Sequence, residues 1–175
     1  FRLRKNKPRS KFQIPPDAPA HFVSKLFAEM RSHPVSAHPL NYRLRGGLAG
    51  KVMPSWEVID DADLEYHVRR SALPYPGGER ELGELVSRLH SNPMDLTKPL
   101  WEFHVIEGLA GHRFAIYCKV HHALVDGANS VKLLNLTTDP RTSFVKPFWA
   151  DESRQLSERR SGGGDGDGGG VVAGV

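Results

Sequence analysis

Two adjacent histidines, His121 and His122, stand just ahead of Asp126 and Gly127 in the segment Lys119-Val120-His121-His122-Ala123-Leu124-Val125-Asp126-Gly127. An imidazole is the side chain best suited to exchanging a proton near neutral pH, and a neutral one can take the proton of a hydroxyl as general base. Asp126 followed by Gly127 is a turn signal, and its carboxylate can cap a following helix or pair with a buried cation. Three chemistries fit these residues. The histidines can be satisfied strand-end residues with Asp126 as an N-cap; His122 and Asp126 can contribute to a metal site; or His122 can act as a single general base. Zinc normally takes three or four protein ligands, which weighs against the metal reading, and no metal is expected.

The elements that carry the pair narrow its geometry. Trp101, Phe103 and Val105 alternate with Glu102, His104 and Ile106, and Phe114, Ile116, Cys118 and Val120 alternate with Ala115, Tyr117 and Lys119. Each run reads as a strand, and Gly108-Leu109-Ala110-Gly111 between them predicts an antiparallel hairpin. Carried on past Val120, the alternation puts His122 on the face of Phe114, Ile116, Cys118 and Val120, toward the apolar interior, and His121 on the opposite face. Cys118 shares that inward face and reads as core, not as a nucleophile. A short helix from about Ala128, with Val131 and Leu134 on one face, follows the motif.

Upstream, Pro15-Pro16-Asp17 and Pro19 predict a helix start, and Phe22, Val23, Leu26, Phe27 and Met30 extend it over about 17–32. Pro34, Pro39, Gly46, Gly47 and Gly50 mark a long connection with a short strand at 42–45. Residues 51–59 read as extended, with Pro54 at an edge. Leu64, Tyr66 and Val68 alternate as in a strand. After Pro74, Pro76, Gly77 and Gly78, the spacing of Leu82, Leu85, Val86 and Leu89 predicts a second helix ending near Asn92-Pro93.

Length and composition bound the rest. A chain of 175 residues with 39% hydrophobic residues is long enough for one domain or lobe with a real core. A single Cys excludes an internal disulfide and a Cys-rich zinc site, as expected of a reducing compartment. Arg2, Arg4, Lys5, Lys7, Arg9 and Lys11 concentrate six of the 24 basic residues at the start, leaving 18 against 20 acidic residues elsewhere. The basic balance therefore belongs to residues 1–13, read as an arm able to meet anionic head groups or to stay solvated. Without interleaved aromatics or a recognisable module, nucleic-acid binding is not expected. Ser161 onward contains eight Gly, and residues 151–175 read as a flexible tail.

The motif His121-His122-x-x-x-Asp126-Gly127 resembles that of CoA-dependent acyltransferases and peptide-synthetase condensation domains. Pro99-Leu100-Trp101-Glu102, Asp63-Leu64-x-Tyr66-His67-Val68, Gly77-Gly78-Glu79 and Leu85-x-x-Arg88-Leu89-His90 narrow the resemblance to the bacterial wax ester synthase/diacylglycerol acyltransferase family, over roughly residues 14–140. The resemblance implies an α/β, chloramphenicol-acetyltransferase-like lobe, a mixed sheet with flanking helices, over residues 14–150. It implies His122 as general base, His121, Asp126 and Gly127 as motif residues shaping the loop, and Trp101 and Cys118 as packing residues or tunnel lining. It further implies acyl-CoA as co-substrate without a resident cofactor, and diacylglycerol or a fatty alcohol as acceptor. The workplace would be cytoplasmic, peripheral to the membrane or to lipid inclusions.

The resemblance also carries expected departures. The family's second lobe and first strand are missing from this sequence, the basic segment and the Gly/Asp tail match no family element, and the chain reads as a truncated N-terminal lobe. The alternatives are a catalytically inactive lobe that binds a lipid surface, and a condensation-type domain using carrier-bound donors, against which Pro99-Leu100-Trp101-Glu102 argues.

Overall fold

The structure, a computed structural model, describes residues 10–45, 55–124 and 147–150. Its elements in chain order are β1 (Ser10–Gln13), α1 (Phe22–Arg31), β2 (Tyr42–Leu44), β3 (Trp56–Val58), α2 (Leu64–His67), β4 (Val68–Ala72), α3 (Glu79–Ser91), β5 (Trp101–Leu109) and β6 (Arg113–Val120). These elements fall into two compact units. One takes residues up to Ser32 with Glu65–Pro93 and Glu102–Lys119, and the other takes His33–Leu64, Met94–Trp101 and Val120 onward.

The first unit is built on a four-stranded mixed sheet in the order β1-β6-β5-β4. β4 runs parallel to β5, with Val68 opposite Phe103 and Arg69 opposite His104. β1 runs antiparallel to β6, with Phe12 opposite Phe114. The centres of β5 and β6 are buried on both faces, because each face is covered by a helix. On one face Phe12 and Phe22, from β1 and α1, pack on Phe114 at centroid distances of 5.2 and 6.3 Å. On the other, Leu82 and Val86 of α3 close over Ile106, Leu109, Ala115 and Tyr117, with Leu73 at the rim. The predicted hairpin is present, and β5 runs through Gly108 as far as Leu109 before turning.

The loop before α3 is fitted to that turn. Gly77 has φ +69°, and a Cβ there would lie 1.8 Å from the Gly108 carbonyl oxygen, so only glycine fits so close a backbone approach. Gly78 caps the start of α3, its N–H donating to the Glu81 carboxylate at 2.8 Å, and Asn92 caps its end, near the Asn92-Pro93 stop that the sequence predicts.

The second unit contains the β2–β3 ribbon, in which Arg43 and Glu57 are direct cross-strand partners joined by a 2.7 Å ion pair. Its core gathers Val35, Ala37, Leu40, Leu100, Trp101, Phe148 and Trp149. The rings of Trp101 and Trp149 stack at 5.5 Å, and Phe148 meets Trp101 edge-on at 5.9 Å.

Three expectations need correction. The first helix starts at Phe22, not at about residue 17, because residues 15–18 close a turn of their own and the Phe22 N–H donates to the Pro19 carbonyl. Leu64 and Tyr66 form a single helical turn and the strand begins at Val68; three alternating apolar residues are too few to separate period 2 from a helical turn. Residues 10–13, assigned to a basic arm, form β1, because Phe12 buries its ring on Phe114 while Lys11 reaches the Glu79 carboxylate. A first strand is therefore present. Residues 2–9 and 51–54, the helix expected from Ala128 and the tail at 151–175 lie outside the described residues.

Candidate active site

The motif sits where β6 ends. The His121 N–H donates to the Leu100 carbonyl at 2.9 Å, and the Leu124 N–H then donates to the His121 carbonyl at 3.0 Å. The chain therefore leaves extended conformation at His121, and strand parity cannot be carried on to His122. Both imidazoles are exposed and Leu124 is buried, so the inward placement inferred for His122 from alternation does not hold in this chain.

The two histidines are nevertheless unequal. His121 Nδ1 accepts the Ala123 N–H at 3.2 Å, which commits that ring nitrogen to the turn and leaves its proton on Nε2 while the ring is neutral. His122 makes no side-chain hydrogen bond among the described residues, and its ring is free to meet a hydroxyl. Asp126 and Gly127 lie outside the described residues.

The approach to β5 is set by its own turn. The Asp95 carboxylate accepts both the N–H and the hydroxyl of Thr97, at 2.9 and 2.7 Å, and these bonds hold its pKa below the ordinary carboxylate value. Lys98 pairs with Asp63. Trp101 follows, fully buried, its indole N–H donating to the Leu40 carbonyl at 2.7 Å. Its ring is enclosed by Phe148 and Trp149, so packing accounts for its position. Pattern and spacing did not single out Phe148 and Trp149, although Pro147-Phe148-Trp149 is an aromatic cluster in a polar stretch.

Cys118 is half-buried in the first unit, and burial pushes its thiol well above the ordinary range. A thiol so shifted is a poor nucleophile at neutral pH. On the opposite face of the same sheet is a polar group that periodicity alone did not bring out. Buried Glu102 accepts from His104 Nε2 at 3.0 Å. Burial alone raises the Glu102 pKa, but the hydrogen bond from His104 and the charges of Arg69, His104 and Lys119 outweigh it and hold the carboxyl below its usual value. Tyr117 meets His90 Nδ1 at 3.0 Å, and burial followed by the Glu102 charge pushes its phenol up to about 12. Polar residues interrupting a buried strand at period 2 were the available signal. Among the described residues, no three His, Cys, Asp or Glu side chains gather into a metal-holding group.

Residues 9–173 match the family model of the wax ester synthase/diacylglycerol acyltransferase catalytic domain. That span exceeds the 14–140 inferred from motifs and reaches into the Gly/Asp-rich tail. A protein of Mycobacterium tuberculosis strain CDC 1551 named as a diacylglycerol O-acyltransferase is 45% identical over 167 residues, covering 94% of this chain and 33% of the relative. Another from strain H37Rv is 47% identical over 131 residues, covering 74% of this chain and 28% of the relative. The chain thus spans about a third of the length of the curated relatives it matches. Among solved structures, the wax ester synthase/diacylglycerol acyltransferase of Marinobacter aquaeolei VT8 is 39% identical with a TM-score of 0.71, covering 79% of this chain and 34% of that one. A condensation domain of the calcium-dependent antibiotic synthetase shares the fold at 16% identity and a TM-score of 0.51, covering 83% of this chain and 37% of that one. Motifs, mixed α/β architecture and both kinds of likeness agree: the chain belongs to the wax ester synthase/diacylglycerol acyltransferase family.

Proposed function

We propose that this chain takes part in O-acyl transfer from a long-chain acyl-CoA to the hydroxyl of a diacylglycerol or a fatty alcohol, with His122 as general base. The observation that carries the reading is the inequality of the two motif histidines: His121 is tied into the turn through Nδ1, whereas His122 presents an exposed imidazole with no hydrogen bond among the described residues.

The chemistry follows from acidity. An alcohol is far too weak an acid to be ionised in a separate step by an imidazole with an ordinary pKa of about 6.5. Proton removal therefore accompanies attack of the hydroxyl oxygen on the thioester carbonyl, with the ring within about 3 Å of the hydroxyl. The carbon–sulfur bond then breaks, and the imidazolium returns the proton to the departing CoA thiolate. The products are free CoA and a neutral ester. No acyl-enzyme is formed, in keeping with a Cys118 thiol held protonated by burial. His121 is tied into the turn through its Nδ1, and the loop-shaping role of Asp126 and Gly127, which lie outside the described residues, is the one the family resemblance implies.

Among the described residues no helix is long and apolar enough to cross a membrane. The basic residues Arg2, Arg4, Lys5, Lys7 and Arg9 suit peripheral attachment to an anionic lipid surface, at about 1 kcal/mol per Lys or Arg near the surface. The test is product analysis with labelled acyl-CoA and, in parallel, a diacylglycerol or a long-chain alcohol. Formation of triacylglycerol or wax ester that requires the acceptor supports the proposal. Label appearing only as free fatty acid, at a rate indifferent to acceptor, overturns it.

A further inference from the structure

β5 and β6 are buried strands, yet the face beneath α3 carries Glu102, His104, Tyr117 and, half-buried, Lys119. Burying such groups is costly unless they are paired, and here the pairing has a direction. The Lys119 ammonium donates to the Leu89 carbonyl at 3.0 Å and to the Asn92 carbonyl. Both acceptors lie at the C-terminal end of α3, where carbonyls lack helical partners and the helix dipole is negative. The same ammonium acts on the Glu102 carboxylate, which also holds His104. Lys119 is the penultimate residue of β6, two positions before His121, and Glu102 follows Trp101 at the start of β5. An apolar side chain would fill the space under α3. A cation gripped by two carbonyls and attracted by a carboxylate also fixes where the strand end stands.

We propose that Lys119 is a positioning residue for the His121-His122 motif: held by the Leu89 and Asn92 carbonyls, it clamps the end of β6 to the C-terminus of α3, so that the chain enters the motif from a fixed point. The inference rests on the acyl-transfer reading. General-base catalysis is sensitive to errors of an ångström in placement, and a strand end free to fray would release the His121 N–H from Leu100.

The test uses the full chain with Lys119→Met, Lys119→Arg and, should the first aggregate, Lys119→Gln. Two readouts are taken together: amide hydrogen exchange at His121 against that at Val105, and the separate kcat and KM for acyl-CoA. With Lys119→Met, His121 is expected to exchange about tenfold faster while Val105 is unchanged, since local opening is read apart from global unfolding. The kcat is expected to fall at least about tenfold with KM changed less than about twofold, and Lys119→Arg is expected to recover most of both. Unchanged His121 exchange in Lys119→Met overturns the inference, as does an equal rise at His121 and Val105. A wild-type chain without acyl transfer, in which His121 exchange still responds to Lys119, upholds the clamp and overturns the reading of the reaction.

Discussion

Cys118 lies on β6 and His122 in the turn beyond it, and the two carry different predictions. Cys118 is the sole thiol, and burial holds it protonated, so alkylation by iodoacetamide at pH 8 should be slower in the folded chain than in urea by at least about tenfold. Equal rates would show an accessible thiolate. Cys118→Ser should also leave any acyl transfer intact within about threefold, because no covalent step passes through it. Glu102 gives a pH test. Its folded pKa lies below the ordinary value of 4.5, so its contribution to stability is present above the unfolded pKa and is lost as pH falls through the folded one. Glu102→Gln should therefore melt below wild type at pH 7, and the gap should close as the pH drops below about 4. A gap that stays constant between pH 7 and pH 3 would mean that the carboxylate charge contributes nothing there.

At the scale of elements, the sharpest prediction sets two glycines against each other. Gly77→Ala forces a Cβ to within 1.8 Å of the Gly108 carbonyl oxygen at a φ of +69°, and should cost at least about 2 kcal/mol. Gly83 lies inside α3 with nothing within 4 Å of a Cβ, so Gly83→Ala should stabilise by about 0.5–1 kcal/mol through helix propensity. Chemical denaturation of the two variants reads both signs, and a neutral Gly77→Ala would break the account of the loop before α3. The legible elements were those whose apolar period was long: α3 from Leu82 to Leu89, and the β5–β6 hairpin with its sustained alternation on either side of a glycine turn. β1 was hidden because its one aromatic ring, the half-buried Phe12 that stacks on Phe114, is surrounded by charges that belong to the edge of the sheet. The turn at Leu64–His67 was hidden because a helical turn that runs straight into a strand leaves only three apolar residues to read. At the site, residue types and spacing drew out the His121-His122 pair, but parity misplaced the His122 side chain. Alternation holds only while the strand lasts, and the His121 N–H already bonds across to Leu100 at the point where the turn begins. The polar layer of Glu102, His104 and Lys119 was legible only as an oddity of period, since the α3 carbonyls that hold Lys119 lie 27 and 30 positions away in the chain.

For the whole molecule, the family is secure from residues 9–173, and the chain spans about a third of its curated relatives. Its likeness to condensation domains is a likeness of fold, at 16% identity for the calcium-dependent antibiotic synthetase domain. A shared architecture does not fix the reaction, so the chemistry has to be argued from the motif. The basic start of the chain belongs to this scale too. Co-sedimentation with vesicles containing anionic lipid should weaken when Arg2, Arg4, Lys5, Lys7 and Arg9 are changed to Gln, and should weaken for the wild type as salt rises. Equal binding to neutral vesicles would remove the electrostatic account of attachment. The central claim, acyl transfer to a hydroxyl through His122, is tested most directly by CoA thiol release from a long-chain acyl-CoA, with and without diacylglycerol or fatty alcohol, in wild type and His122→Ala. Acceptor-dependent release that falls by about 100-fold or more in the variant is the predicted result; release that proceeds at the same rate in both chains would contradict it.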